Sequence, residues 1–176
     1  MQDESMAYSN LETQSDEPLF LYISPARLII MSIVSMGIYE LYWIYKNWRY
    51  IKERYGMDIT PFWRGFFGLF FCHSLLRKIH EDQESNSIQA PTFSPVLLAT
   101  VWVVLVIIAA PVSNLIIYAF IPAFLCLVPV QIYINEVTLK RNPEQKYYGW
   151  SSGHVVCLVF GIFGWSVALA GLLMGL

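Results

Sequence analysis

Charge is scarce in this 176-residue sequence: 14% of its residues are Asp, Glu, Lys or Arg, whereas 56% are hydrophobic. Water-soluble globular domains carry about a quarter charged residues, so the balance excludes that class. No basic residue precedes Arg27, and Asp3, Glu4, Glu12, Asp16 and Glu17 crowd the start. The positive n-region of a cleavable signal peptide is therefore missing. A concentrated basic patch on an accessible domain is missing too, which excludes nucleic acid as a partner. Cysteine is confined to Cys72, Cys126 and Cys157, an odd set without CxxC spacing, each inside an apolar run. Buried free thiols follow, rather than a disulfide framework, a metal centre or a redox pair. The stretch His80-Glu81-Asp82-Gln83-Glu84 opens like a zinc-protease motif but lacks the second histidine one turn on. Neither a Gly-x-Ser-x-Gly elbow nor a glycine-rich phosphate loop occurs, and His73 and His154 have no local carboxylate partner. No catalytic residue, cofactor or metal ligand is expected; a lipid-modifying enzyme would have to be assembled from scattered residues.

What is present is a set of long apolar runs, which read as one transmembrane domain over 21–176 behind a disordered acidic tail over 1–20. Three helices begin alike, at Ser24-Pro25, Thr60-Pro61 and Ser94-Pro95, where a hydroxyl able to cap precedes a proline suited to the first turn. The first is expected to run from Pro25 to near Arg54, its apolar part Leu28 to Tyr45 long enough to cross most of a bilayer. The second, Pro61 to about Ile79, has too short an apolar segment between Arg64 and Arg77 and suits an interfacial or re-entrant position, with Phe62, Trp63, Phe66, Phe67, Phe70 and Phe71 at the headgroups. After a polar linker, His80 to Thr92, Val96 to Ala110 reads as a short span, closed by a turn at Pro111-Val112-Ser113-Asn114. Leu115 to Lys140 follows, kinked by Pro122 and Pro129, then a polar loop and a last span from Gly153 to Gly175. The fold class expected is an all-α integral membrane helical bundle with four transmembrane helices plus one short interfacial or re-entrant helix. With that topology nearly every base lies on one side, which the positive-inside rule makes cytoplasmic, leaving both termini outside.

Three groups of residues invite a functional reading. Gly37 to Arg49 passes from an apolar helix through tyrosine and tryptophan into bases, and Tyr42, Trp43, Lys46, Trp48 and Arg49 suit a lipid interface. Glu40, within that stretch, is either a proton or cation site or a glutamate paired with a base such as Lys140 or with a tyrosine. It shares a helix face with Ile33, Met36 and Gly37, and Gly37 would let a neighbouring backbone approach. Gln131, Asn135 and Thr138 share one face of the fourth helix with Glu136 at its flank; with Glu40 and Asn47 they could line a polar pocket open to the cytoplasm, or simply mark a helix end emerging into water. The last helix carries a small-residue stripe, Gly153, Cys157, Gly161, Gly164, Ala168, Gly171 and Gly175, suited to close packing within one subunit or between subunits.

Gly37-Ile-Tyr-Glu-Leu-Tyr-Trp-Ile-Tyr-Lys-Asn-Trp, Thr60-Pro-Phe-Trp-Arg and Val128-Pro-Val-Gln-Ile-Tyr-Ile-Asn with the later Tyr148-Gly-Trp resemble a group of uncharacterised bacterial multi-pass membrane proteins. The resemblance implies a bacterial inner-membrane location and supplies no substrate or catalytic residue. The function expected is that of a non-enzymatic accessory or interaction protein touching membrane lipid and a membrane-protein partner or further copies of itself. The alternatives are a small oligomeric ion or proton channel or carrier using Glu40 and Glu136, and a lipid-handling protein.

Overall fold

A computed structural model describes residues 18–109 and 122–174, and these are all-helical, without a strand. The elements are α1 (Pro25–Val34), α2 (Ile38–Tyr55), α3 (Pro61–Phe66), α4 (Gly68–His80), α5 (Gln83–Ile88), α6 (Pro95–Ala109), a 3-10 turn (Ala123–Cys126), α7 (Val128–Arg141) and α8 (Ser152–Met174). Each hydroxyl-proline pair does open a helix. Ser24 Oγ accepts the Arg27 amide at 3.1 Å, while Thr60 makes no side-chain cap.

The first expected helix is two helices. After Val34 the chain closes α1 with bonds from Gly37 N to Ser32 O (2.8 Å) and from Met36 N to Ile33 O (3.2 Å), the paired closure of a Schellman motif. Met36 takes the left-handed position at φ 51° and Gly37 follows at φ 86°. Ser35 Oγ then accepts the Tyr39 amide at 2.9 Å and starts α2. Gly37 thus serves the turn, and Ile33 and Met36 do not continue the face that carries Glu40. Further on, the second expected helix is interrupted at Phe67, and the polar linker contains α5, capped by Asp82 on the Ser85 amide. Pro122 precedes the 3-10 turn and Pro129 lies in the first turn of α7. Both prolines therefore start helical segments rather than kink an interior, as a residue without an amide hydrogen favours. The turn at 111–114 lies outside the described residues.

Among the described residues two helical runs are long and apolar enough to cross a membrane, Ala123–Arg141 and Ser152–Met174. They differ in exposure: 61% of the first is buried inside the protein and 17% of the second. α2 is the central element. Tyr39, Trp43, Ile44, Trp48 and Ile51 are buried against Leu75, Leu76 and Ile79 of α4, Val130 and Ile134 of α7, and Trp102 of α6. Ordered packing begins before residue 20, since Leu19 and Phe20 are buried in the same core. Gly65 of α3 lies so close to α2 that a Cβ there would fall 2.5 Å from Tyr45 Cβ. The aromatic side chains at 62, 63, 66, 67 and 70 remain exposed around this crossing.

Candidate functional site

The expected polar pocket is filled by the protein's own backbone. Residues 19–23 run between α2 and α7, and the amide side chains satisfy the hydrogen-bonding groups of that non-helical stretch. Leu21 N donates to Asn47 Oδ1 at 3.1 Å, and Asn47 Nδ2 donates to Trp43 O at 2.9 Å. Gln131 Nε2 reaches Leu21 O (3.0 Å), Ile23 O (3.2 Å) and Asn135 Oδ1 (2.7 Å), while Gln131 Oε1 accepts the Trp43 indole at 2.6 Å. Asn135 Nδ2 donates to Ile23 O at 2.8 Å, and Thr138 Oγ1 turns back to Ile134 O at 2.8 Å. A buried segment without helical bonds must find partners for its amides and carbonyls, and these side chains are the partners.

The two carboxylates of the proposed path lie apart in their bonding. Glu40 is buried, 5% exposed, and accepts the Trp102 indole N–H of α6. Its carboxylate sits in the first turn of α2, where the helix dipole favours negative charge. Among the described residues its carboxylate is held by Trp102 rather than by Lys140 or a tyrosine. Glu136 is exposed and accepts from the Gln89 amide.

Most of the expected lipid-interface residues turn inward. Trp43 and Trp48 are fully buried and Lys46 is 7% exposed, because α2 is surrounded by other helices. Arg64 stacks over the Trp48 ring, 4.3 Å from its centroid. Arg49 alone stays exposed, paired with Glu53 at 2.7 Å, and Tyr42 is half-buried.

Beside these residues lies an open groove of about 720 Å³ between α2, α3 and α8. Its apolar walls include Ile38, Leu41, Phe66, Val156 and Phe160. Its polar end holds Lys46, Tyr42, Tyr148, Ser151 and Ser152. Lys46 Nζ donates to Tyr148 Oη at 3.0 Å and lies 4.3 Å from the Tyr148 ring centroid. Among the described residues no carboxylate forms an ion pair with Lys46. Tyr148 is itself fixed three ways: its amide donates to Tyr22 O at 2.7 Å, its carbonyl accepts from Arg27, and its hydroxyl meets Lys46. Burial pushes the Tyr148 phenol up, but the Lys46 ammonium and neighbouring hydroxyls outweigh it, and the net shift is downward.

Ser151 and His154 stand beside this polar end in what resembles a nucleophile–base pair, with Oγ 2.9 Å from Nδ1. The same Nδ1 accepts the Ser151 backbone N–H at 3.1 Å. Ser151 immediately precedes α8 and His154 is its third residue, so the histidine fills the place that Glu or Gln takes in a capping box. Ser151 Oγ also meets Tyr42 Oη at 2.9 Å, and His154 Nε2 meets Tyr39 Oη at 3.3 Å.

The small-residue stripe packs within the chain along its first half. A Cβ on Gly161 would collide with Val34 O and fall 2.8 Å from Ser35 Cα. One on Gly164 would fall 2.6 Å from Met36 Sδ, and one on Gly153 would enter the Tyr42 ring. Cys157 and Ala168 are buried, whereas Gly171 has nothing within 4 Å of such a Cβ; Gly175 lies outside the described residues.

The sequence pattern does not mark Trp102, Tyr148 or Ser151 as site residues. Tyr148 lies in Tyr148-Gly-Trp, and only its long-range contact with Lys46 gives it a role. Among the described residues no cluster of side chains suits a metal ion. Comparison of the chain with protein-family models, with curated proteins and with solved structures found no match.

Proposed function

We propose that the chain is a multi-pass protein of the bacterial inner membrane that acts by binding, as a non-enzymatic accessory protein, with spans formed by α6, by the helix ending at Arg141 and by α8. The expected first span and the outside position of the chain before it are not kept, because Leu19 O accepts from Arg54 and Tyr148 O from Arg27, so that α1 and α2 leave from and return to the same end as a re-entrant pair. One observation carries the binding role. Among the described residues, five polar side chains that could do chemistry are engaged in holding the fold, Glu40 on Trp102, His154 on the start of α8, and Asn47, Gln131 and Asn135 on residues 19–23. A groove and an apolar helix face stand open beside them. Phe163, Leu169, Leu172, Leu173 and Met174 of α8 are all exposed, a surface suited to lipid or another membrane helix and costly in water. The channel reading is supported less, because Glu40 and Glu136 have separate partners on α6 and on residue 89.

Native mass spectrometry of the protein extracted gently from its own membrane tests this. A stoichiometric companion, protein or lipid, is expected. A bare homo-oligomer that conducts ions in liposomes, and stops conducting on Glu40→Gln, would overturn it.

A further inference from the structure

We propose that the groove between α2, α3 and α8 holds one anionic phospholipid, with its phosphate at Lys46 and the start of α8 and its acyl part against Leu41, Val156 and Phe160. The proposal rests on the reading of the chain as a membrane-embedded binding protein and names what that protein binds.

Polarity along the groove is graded in the same direction on both of its long walls. On α2, Ile38, Leu41, Tyr45 and Arg49 follow one another at steps of three or four and pass from apolar to basic. On α8, Ser152, Val156 and Phe160 pass from polar to apolar at steps of four. The two polar ends meet, joined by Tyr42 Oη to Ser151 Oγ at 2.9 Å. From Ile38 to Arg49 the wall is about 16 Å long at about 1.5 Å per residue. That is about half of a hydrocarbon core of about 30 Å, the depth of one leaflet. The volume, about 720 Å³, lies within the range of about 300–1,000 Å³ of small-molecule sites.

Charge selects the headgroup. A buried ammonium is costly without a counter-ion, and Lys46 has a phenol and two ring faces around it but no carboxylate among the described residues. An ammonium has three donors, and one of them goes to Tyr148. Arg49, at the rim, already shares its charge with Glu53, so Lys46 is the cation left for a ligand. The 23-residue α8 adds its N-terminal end, since Ser152 and Gly153 both line the groove, and free amides with a positive dipole end favour phosphate. Gly153 matters here because without a side chain it lets the Tyr42 ring lie against α8 as an aromatic floor.

The test titrates the full-length protein in detergent with dioleoyl phosphatidylglycerol or dioleoyl phosphatidylcholine and counts retained lipid by native mass spectrometry. Wild type should retain one phosphatidylglycerol per chain with a preference of about fivefold, the order expected of one lysine facing an anionic headgroup. Lys46→Gln keeps a donor for Tyr148 and should abolish the preference while apolar capture persists. Val156→Trp, at an exposed position, should fill the groove and strip both lipids. Equal retention of the two lipids by wild type, an unchanged preference in Lys46→Gln, full retention in Val156→Trp, or a polypeptide in place of lipid would each overturn the proposal. Alkaline carbonate separates this failure from that of the broader reading. A chain that stays in the membrane but shows no lipid preference fails here alone, and a chain that washes off fails the membrane assignment itself.

Discussion

Gln131 binds four groups at once, taking the Trp43 indole on its oxygen and giving its nitrogen to Leu21 O, Ile23 O and Asn135. Removing it leaves buried donors and acceptors without partners, at about 1–3 kcal/mol for each group left unsatisfied. Gln131→Leu should therefore lower stability by about 3 kcal/mol, read as a shift in the denaturant midpoint in detergent. Glu136→Gln, at an exposed position, should change it by less than about 0.5 kcal/mol. Glu40 gives a sharper pair. Glu40→Gln keeps an oxygen for the Trp102 indole and should be nearly silent in the same assay. Glu40→Leu strands that N–H and should cost about 1–3 kcal/mol. A silent Glu40→Leu would show that the Trp102 contact contributes nothing. At this scale the sequence is half legible. The steps of three and four place Gln131, Asn135 and Thr138 on one face, but Gln131 and Asn135 reach backbone carbonyls at residues 21 and 23, which no side-chain pattern announces. Lys46 is half legible in the same way: a base beside tryptophans reads as part of a headgroup belt, and only the helices packed around α2 place its side chain at the end of a groove.

Elements were more legible at their starts than along their lengths. A capping hydroxyl and a proline act locally, and all three such pairs open helices where expected. The break at 35–37 is different, because hydrophobicity continues across it and carries no information about φ. Gly37 was visible, yet its left-handed turn and a close interhelical approach are equally good uses of glycine. The approach falls instead on Gly161, against Val34 and Ser35, where the indole of Trp165 also donates to Val34 O at 3.2 Å. Gly161→Leu should collide with that backbone and cost about 3 kcal/mol or prevent folding. Gly171→Leu meets open space and, with the better helix propensity of leucine, should leave stability unchanged or raise it by about 0.8 kcal/mol. Thermal unfolding of both variants in detergent checks the contrast. Equal losses would mean that the distal half of α8 packs as tightly as the proximal half.

Across the whole molecule, long-range bonds gather one end. Arg54 at the close of α2 pairs with Asp82 before α5, Arg141 at the close of α7 pairs with Glu84 at 3.0 Å, and Lys46 meets Tyr148 just ahead of α8. The ends of α2 and α7 and the beginning of α8 are thereby held together, along with most of the chain's basic residues. An end so rich in Lys and Arg belongs on the cytoplasmic face if the chain spans as proposed. Topology then follows for positions far apart in sequence. The native thiols at 72, 126 and 157 are buried and can stay in place while single cysteines are introduced at exposed Asp58, Glu81 and Glu144. A membrane-impermeant maleimide should label all three only after the membrane is opened from outside. Met174→Cys, at the far end of a 23-residue helix about 34 Å long, should label in intact cells. Labelling of Asp58→Cys and Glu144→Cys from opposite sides would separate ends that the ion pairs join, and the proposed spanning arrangement would fall with it. Labelling of all four from one side would leave α8 lying along the membrane, its groove wall with it, and the lipid would then have to enter from the surface rather than from within a leaflet.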